Sequence, residues 1–78
     1  MNVRYDAHAR RRQGERDVTD AQVEEVLHNY EVELPGKYGR RNRYKTIAGR
    51  RIRVTFDDLT ADEYYVWTVT SDEVTETR

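Results

Sequence analysis

The chain has 78 residues, of which 36% are hydrophobic and 37% charged, with a net charge of −1 and no cysteine. A chain this short buries only about 60% of the surface its unfolded form exposes, which argues against a large enclosed active-site cavity. Without cysteine there is no disulfide, no thiolate zinc site and no thiol nucleophile, and a reducing compartment fits best. The opening residues Met1-Asn2-Val3-Arg4-Tyr5-Asp6 contain no apolar run of the signal-peptide kind. No other stretch approaches the roughly 18 apolar residues of a membrane span. The expectation is a single soluble, cytoplasmic domain over residues 1–78 without a membrane partner, its ordered core at about 4–71 and a polar tail at 72–78.

Residues 5–13 lack proline and β-branched side chains and are followed by Gly14. This predicts a short first helix ending on a left-handed glycine cap. Tyr5, His8, Ala9 and Arg12 share one of its faces, so His8 is expected at the core boundary. The second helix has the better signature. Thr19 is an N-cap, Gln22 completes a capping box at N3, and Val18 can staple onto Val23. Its apolar stripe is Val23, Val26, Leu27 and Tyr30, while Asp20, Glu24 and Glu25 occupy the early turns and the solvent side, where negative charge suits the helix dipole. His28 and Asn29 mark its end.

Residues 31–34 alternate with period two as a short strand, broken by Pro35-Gly36, and a mobile loop is expected through Gly39. Residues 43–48 and 50–57 read as a hairpin turning near Ala48-Gly49, with Ile52, Val54 and Phe56 alternating against Arg51, Arg53 and Thr55. Residues 57–62 read as a turn and 63–70 as the last strand. The predicted fold is therefore α+β, with two N-terminal helices packed on one face of a small antiparallel sheet of three to four strands. The opposite face should carry Arg51 and Arg53, joined by Arg43 and Lys45 from the neighbouring strand.

Charge is segregated along the chain. Residues 1–16 carry +3, residues 17–34 carry −6, residues 35–55 carry +8 without one carboxylate, and residues 56–78 carry −6. The basic block is either a footprint for a polyanion or the internal counterpart of the acidic blocks. The chain's two histidines, His8 and His28, lie too far apart for a metal site, so no metal or cofactor is expected. Ser71, the one serine, has no nucleophile elbow around it, and the glycines form no phosphate loop. What remains is a metal-free constellation of Arg, Lys, Tyr and His, of the kind that positions an RNA 2′-hydroxyl and stabilises charge on its phosphate. Tyr44, Tyr64, Tyr65 or Trp67 could stack on an unpaired base. Trp67 is read as core, beside Val66 and Val69, and Tyr38 and Tyr44 are open between core and surface. His8 suits a structural hydrogen bond better than general-base work.

The segment His8-Ala9-Arg10-Arg11-Arg12-Gln13-Gly14-Glu15-Arg16-Asp17-Val18 resembles the opening of a bacterial family, domain of unknown function four-two-five-eight, whose pattern is approximately His-Ala-x-x-Arg-Met-x-x-Arg-Gly-Ile. His8, Ala9, Arg12 and Arg16 match by position, while Gln13 replaces the methionine and Asp17-Val18 replaces Gly-Ile. Gly39-Arg40-Arg41 and the hairpin around residues 49–54 also look like that family. The family is similar in size and layout to RelE-like and BrnT-like toxin ribonucleases. That resemblance implies a metal-independent mRNA-cleaving toxin, with RNA or the ribosome as target and a cognate antitoxin as partner. It implies Arg51, Arg53, His8 and Tyr44 as catalytic residues, and Arg40, Arg41, Arg43, Lys45 and Arg12 as RNA-binding. The competing class is a non-catalytic module whose basic sheet face grips nucleic acid or an acidic partner protein. A nuclease needs polar groups converging on one point, whereas a binding face needs them spread over an area.

Overall fold

The computed structural model describes residues 1–74, and it opens with a strand where the sequence predicts none. β1 (Asn2–Tyr5) leads directly into α1 (Ala7–Arg16) and α2 (Asp20–His28). β2 (Val32–Pro35), a single 3-10 turn (Lys37–Gly39), β3 (Arg41–Ile47), β4 (Arg50–Thr60) and β5 (Glu63–Glu73) follow. The five strands form one sheet in the order β1-β5-β4-β3-β2. β1 runs parallel to β5 and the other pairs are antiparallel, so the sheet is mixed where an antiparallel one was expected, and its five strands are one more than the upper end of the expected three to four. The polar tail expected from residue 72 begins later, because β5 continues to Glu73; residues 75–78 of that tail lie outside the described residues.

The first helix begins and ends later than its composition suggested. Tyr5 belongs to β1, and Asp6 caps α1 by accepting from the His8 backbone N–H at 3.1 Å. Gly14 sits inside the helix, where it costs about 1 kcal/mol relative to alanine but does not stop it. The left-handed cap is Asp17 (φ 58), at the position where the resembled pattern has glycine. The second helix starts as expected. The Gln22 N–H donates to Thr19 Oγ1 at 3.1 Å and the Thr19 N–H to Gln22 Oε1 at 3.0 Å, the reciprocal bonds of a capping box.

Both helices cover one sheet face. Ala9, Val18, Val23, Val26 and Leu27 pack onto Ile52, Val54, Phe56, Val66 and Val69, with Val3, Tyr5, Ile47 and Tyr64 at the margin. Tyr30, expected in the helix stripe, lies beyond the end of α2 and is exposed. β4 runs through the acidic stretch expected to turn, leaving only Ala61-Asp62 between β4 and β5. A bulge interrupts their ladder: Thr55 pairs with Thr68 and Phe56 with Val66, so Trp67 is the extra residue. Trp67 consequently turns away from the core, correcting its expected burial, and its indole N–H donates to Asp57 Oδ2 at 2.9 Å.

The β3–β4 hairpin turns on Ala48 (φ 52) and Gly49 (φ 78), both in the left-handed region that a two-residue primed turn requires. Alanine resists that region where asparagine tolerates it. Ala48→Asn is expected to raise stability by about 0.5 kcal/mol, a gain of a few degrees in thermal midpoint. An unchanged or lower midpoint in a calorimetric scan would count against strain at this turn.

Candidate functional site

The hairpin register sets which basic side chains share a face. Arg41 stands opposite Phe56, Arg43 opposite Val54 and Lys45 opposite Ile52, so all three project toward the helices and not onto the open face. The expectation that Arg43 and Lys45 flank Arg51 and Arg53 is therefore corrected. Arg43 donates to Glu33 Oε1 through Nε at 2.7 Å and to the Leu27 carbonyl through Nη1 at 2.6 Å. Lys45 donates to the Asn29 carbonyl at 3.0 Å and lies 3.6 Å from Glu25. Arg50 reaches the carbonyls of Arg16 at 2.8 Å and Asp17 at 3.0 Å. Cations borne by the sheet thus satisfy the open carbonyls at the C-terminal ends of both helices, where the helix dipole also favours positive charge. Arg41 pairs with Asp58 and lies 3.9 Å from Glu33.

Half of the eight-cation block is thereby taken up in holding the fold. The other half, Lys37, Arg40, Arg51 and Arg53, has no carboxylate within ion-pair distance among the described residues. Lys37, Arg40 and Arg53 converge on a cleft of about 660 Å³ on the open sheet face. Asn42, Thr55, Thr68 and the Tyr38 ring complete its polar lining, and no carboxylate lines it. The Thr55 hydroxyl donates to Asn42 Oδ1 at 2.5 Å, which leaves the Asn42 amide N–H2 as a donor. Arg53 Nε is buried without a partner, a donor the fold itself leaves unsatisfied.

An aromatic row supports the cleft. The Arg40 guanidinium lies 3.8 Å above the Trp67 ring, and Trp67 meets Tyr65 edge-on at 4.6 Å. The Tyr65 hydroxyl donates to Asp6 Oδ1 at 3.0 Å, and this bond, with burial, raises the phenol above its ordinary range. Asp57 and Asp6 on this side thus accept from Trp67 and Tyr65. The wall facing the sheet is the turn at residues 36–40, expected to be mobile. Here it is tied by the Gly36 N–H to the Arg40 carbonyl at 2.8 Å and the Arg40 N–H to the Lys37 carbonyl at 3.1 Å. A Cβ at Gly36 would lie 3.2 Å from the Arg40 carbonyl oxygen, so a side chain here would push this close return apart by a few tenths of an ångström.

Among the residues singled out from sequence, Arg53 and Arg40 line the cleft. Tyr44 and Arg51 lie on the same face further along, with the Arg51 guanidinium 5.0 Å from the Tyr44 ring and Asp72 opposite Arg51 on β5. His8 and Arg12 belong to α1, in the helical layer on the other side of the sheet, and Arg12 pairs with Glu15 at 2.9 Å. Sequence reasoning did not assign Lys37, Tyr38, Asn42, Thr55 or Thr68 to the site. Among the described residues no cluster of three or more His, Asp or Glu side chains is placed to hold a metal. No helix in them is long and apolar enough to cross a membrane. Comparison with protein-family models, with curated proteins and with solved structures found no match.

Proposed function

We propose that the open face of the sheet is a non-catalytic binding surface for the phosphate backbone of RNA. The observation that carries this reading is a carboxylate-free cleft that brings Lys37, Arg40 and Arg53 together with neutral donors between them but without the general base that a converging nuclease site needs. Guanidinium forks match phosphate oxygens two at a time, and Asn and Thr groups add the shorter contacts that fix a backbone in register. The net charge of −1 is compatible with this role because the acidic residues of α2, Asp20, Glu24 and Glu25, lie in the helical layer behind the sheet.

Binding is favoured over cleavage by what the cleft lacks. Attack by an RNA 2′-hydroxyl needs a group to accept its proton within hydrogen-bond reach. Both imidazoles, His8 and His28, stand in the helical layer, and the one titratable group of the lining besides its three cations is the Tyr38 phenol. The constellation can therefore hold a phosphate and stabilise its charge without an evident base.

The test is fluorescence anisotropy of a labelled RNA titrated with the protein at several salt concentrations. Arg53→Ala is expected to weaken binding about tenfold and to lower the slope of log affinity against log salt by about one. Arg12→Ala, on the far side, should change neither. Equal effects of the two substitutions would overturn the assignment of the face, and cleavage of the RNA by the protein would favour the toxin-like ribonuclease instead.

A further inference from the structure

We infer that Tyr38 is a stacking platform for an unpaired base, which makes this face select single-stranded over duplex RNA; the inference rests on the binding role proposed for the open face. Tyr38 is 86% exposed, while no other large apolar side chain among the described residues exceeds 48%. Its ring contributes nothing to the core. Its backbone is held at φ 60, in the left-handed region, where tyrosine is strained and glycine is not. A large aromatic at such a position, neither packed nor locally favoured, has no structural reason to be there.

Its surroundings give it a chemical one. The ring forms part of the same cleft as Lys37, Arg40 and Arg53, so a base on its face and a phosphate on the cations would belong to one strand. Arg40 links the two parts: its guanidinium is anchored at 3.8 Å on Trp67 and stands 5.4 Å from the Tyr38 ring. The turn that carries Tyr38 is closed by two backbone hydrogen bonds, at 2.8 and 3.1 Å, so the ring is presented on a defined arch. A single strand can splay a base onto such a ring. In a duplex each base face is already covered by its neighbours, and only the backbone would reach the cleft.

The test uses the intact protein with a short labelled RNA and with a duplex containing the same strand. Wild type should bind the single strand more tightly than the duplex. Tyr38→Gly, which relieves the backbone and so does not endanger folding, should lose about tenfold in affinity for the single strand and little for the duplex. Tyr38→Phe should keep the wild-type affinity, because the ring and not the hydroxyl is at work. Single-strand affinity unchanged in Tyr38→Gly would overturn the stacking role while leaving the binding face intact. Wild-type protein that binds neither RNA would overturn the binding role and this inference with it.

Discussion

Replacing Arg43 by alanine is expected to lower the free energy of unfolding by about 3 kcal/mol, whereas Arg53→Ala, from the same basic block, should change it by less than about 0.5 kcal/mol. The difference follows from where the two guanidinium groups sit. The Arg43 side chain is only 11% exposed, bonded to Glu33 and to the last turn of α2, and stacked 4.3 Å from the Tyr30 ring and 4.6 Å from the Phe56 ring. Burial, the largest single influence, works against its charge, but the hydrogen bonding and charge of Glu33 and Tyr64 together outweigh it and raise its pKa, so it stays protonated wherever the protein is folded. Truncation leaves the Glu33 carboxylate, only 28% exposed, with Arg41 alone at 3.9 Å, opens the Leu27 carbonyl, and removes the guanidinium that lies over Phe56. Lysine should not rescue it, since one ammonium cannot supply a fork that reaches both Glu33 and the helix end. Urea unfolding reads the result directly. A loss below about 1 kcal/mol would mean that Arg43 is not the tie between α2 and the sheet.

At high pH the protein should lose stability through Tyr5, and Tyr5→Phe should remove that loss. Burial, reinforced by Asp20 and Glu24 against the opposing charge of Arg10, pushes the Tyr5 phenol up to about 12 from an ordinary 10.0. The folded state therefore keeps a proton that the unfolded chain gives up. The associated stability is fully present below pH 10 and declines as pH rises from there toward 12, when the folded phenol must ionise as well. Two units correspond to at most about 2.7 kcal/mol, and solvent screening of a half-buried ring reduces this to about 1 kcal/mol. The Tyr5 hydroxyl is also buried without a hydrogen-bond partner. Phenylalanine should accordingly match or slightly exceed wild type at neutral pH and show the shallower alkaline decline. Thermal midpoints measured from pH 8 upward separate the two; parallel curves would rule Tyr5 out as the source.

The capping box at Thr19 and Gln22 and the alternation of Ile52, Val54 and Phe56 were legible because each is a local rule with a local partner. The strand β1 was not, since Val3 and Tyr5 are only two inward positions and their ladder partners, Tyr64 and Val66, are distant in sequence. The facing of Arg43 and Lys45 could have been read. A two-residue turn at Ala48-Gly49 pairs Ile47 with Arg50, and counting outward places Arg43 opposite Val54, on the core side. The bulge also left a trace: Val66 and Val69 are both buried although three apart, which strict alternation forbids. What sequence could not show is the cleft. Its donors come from β3, β4, β5 and the residue 36–40 turn, and they meet only because Tyr38 and Gly39 both adopt positive φ.

The parallel ladder between β1 and β5 bears on how the chain is made. As it leaves the ribosome, α2, β2, β3 and β4 can pair and pack in order of synthesis, but β1 has no neighbour until β5 is complete. α1, whose main packing partner in the sheet is also β5, waits with it. For that interval Val3, Tyr5 and Ala9 remain exposed, and forming their contacts closes a loop that spans most of the chain. Such long-range closure slows folding relative to local hairpins. The nascent domain is therefore most open to proteases and chaperones just before its last strand arrives, and that strand completes both the core and the Trp67 side of the basic cleft in one step.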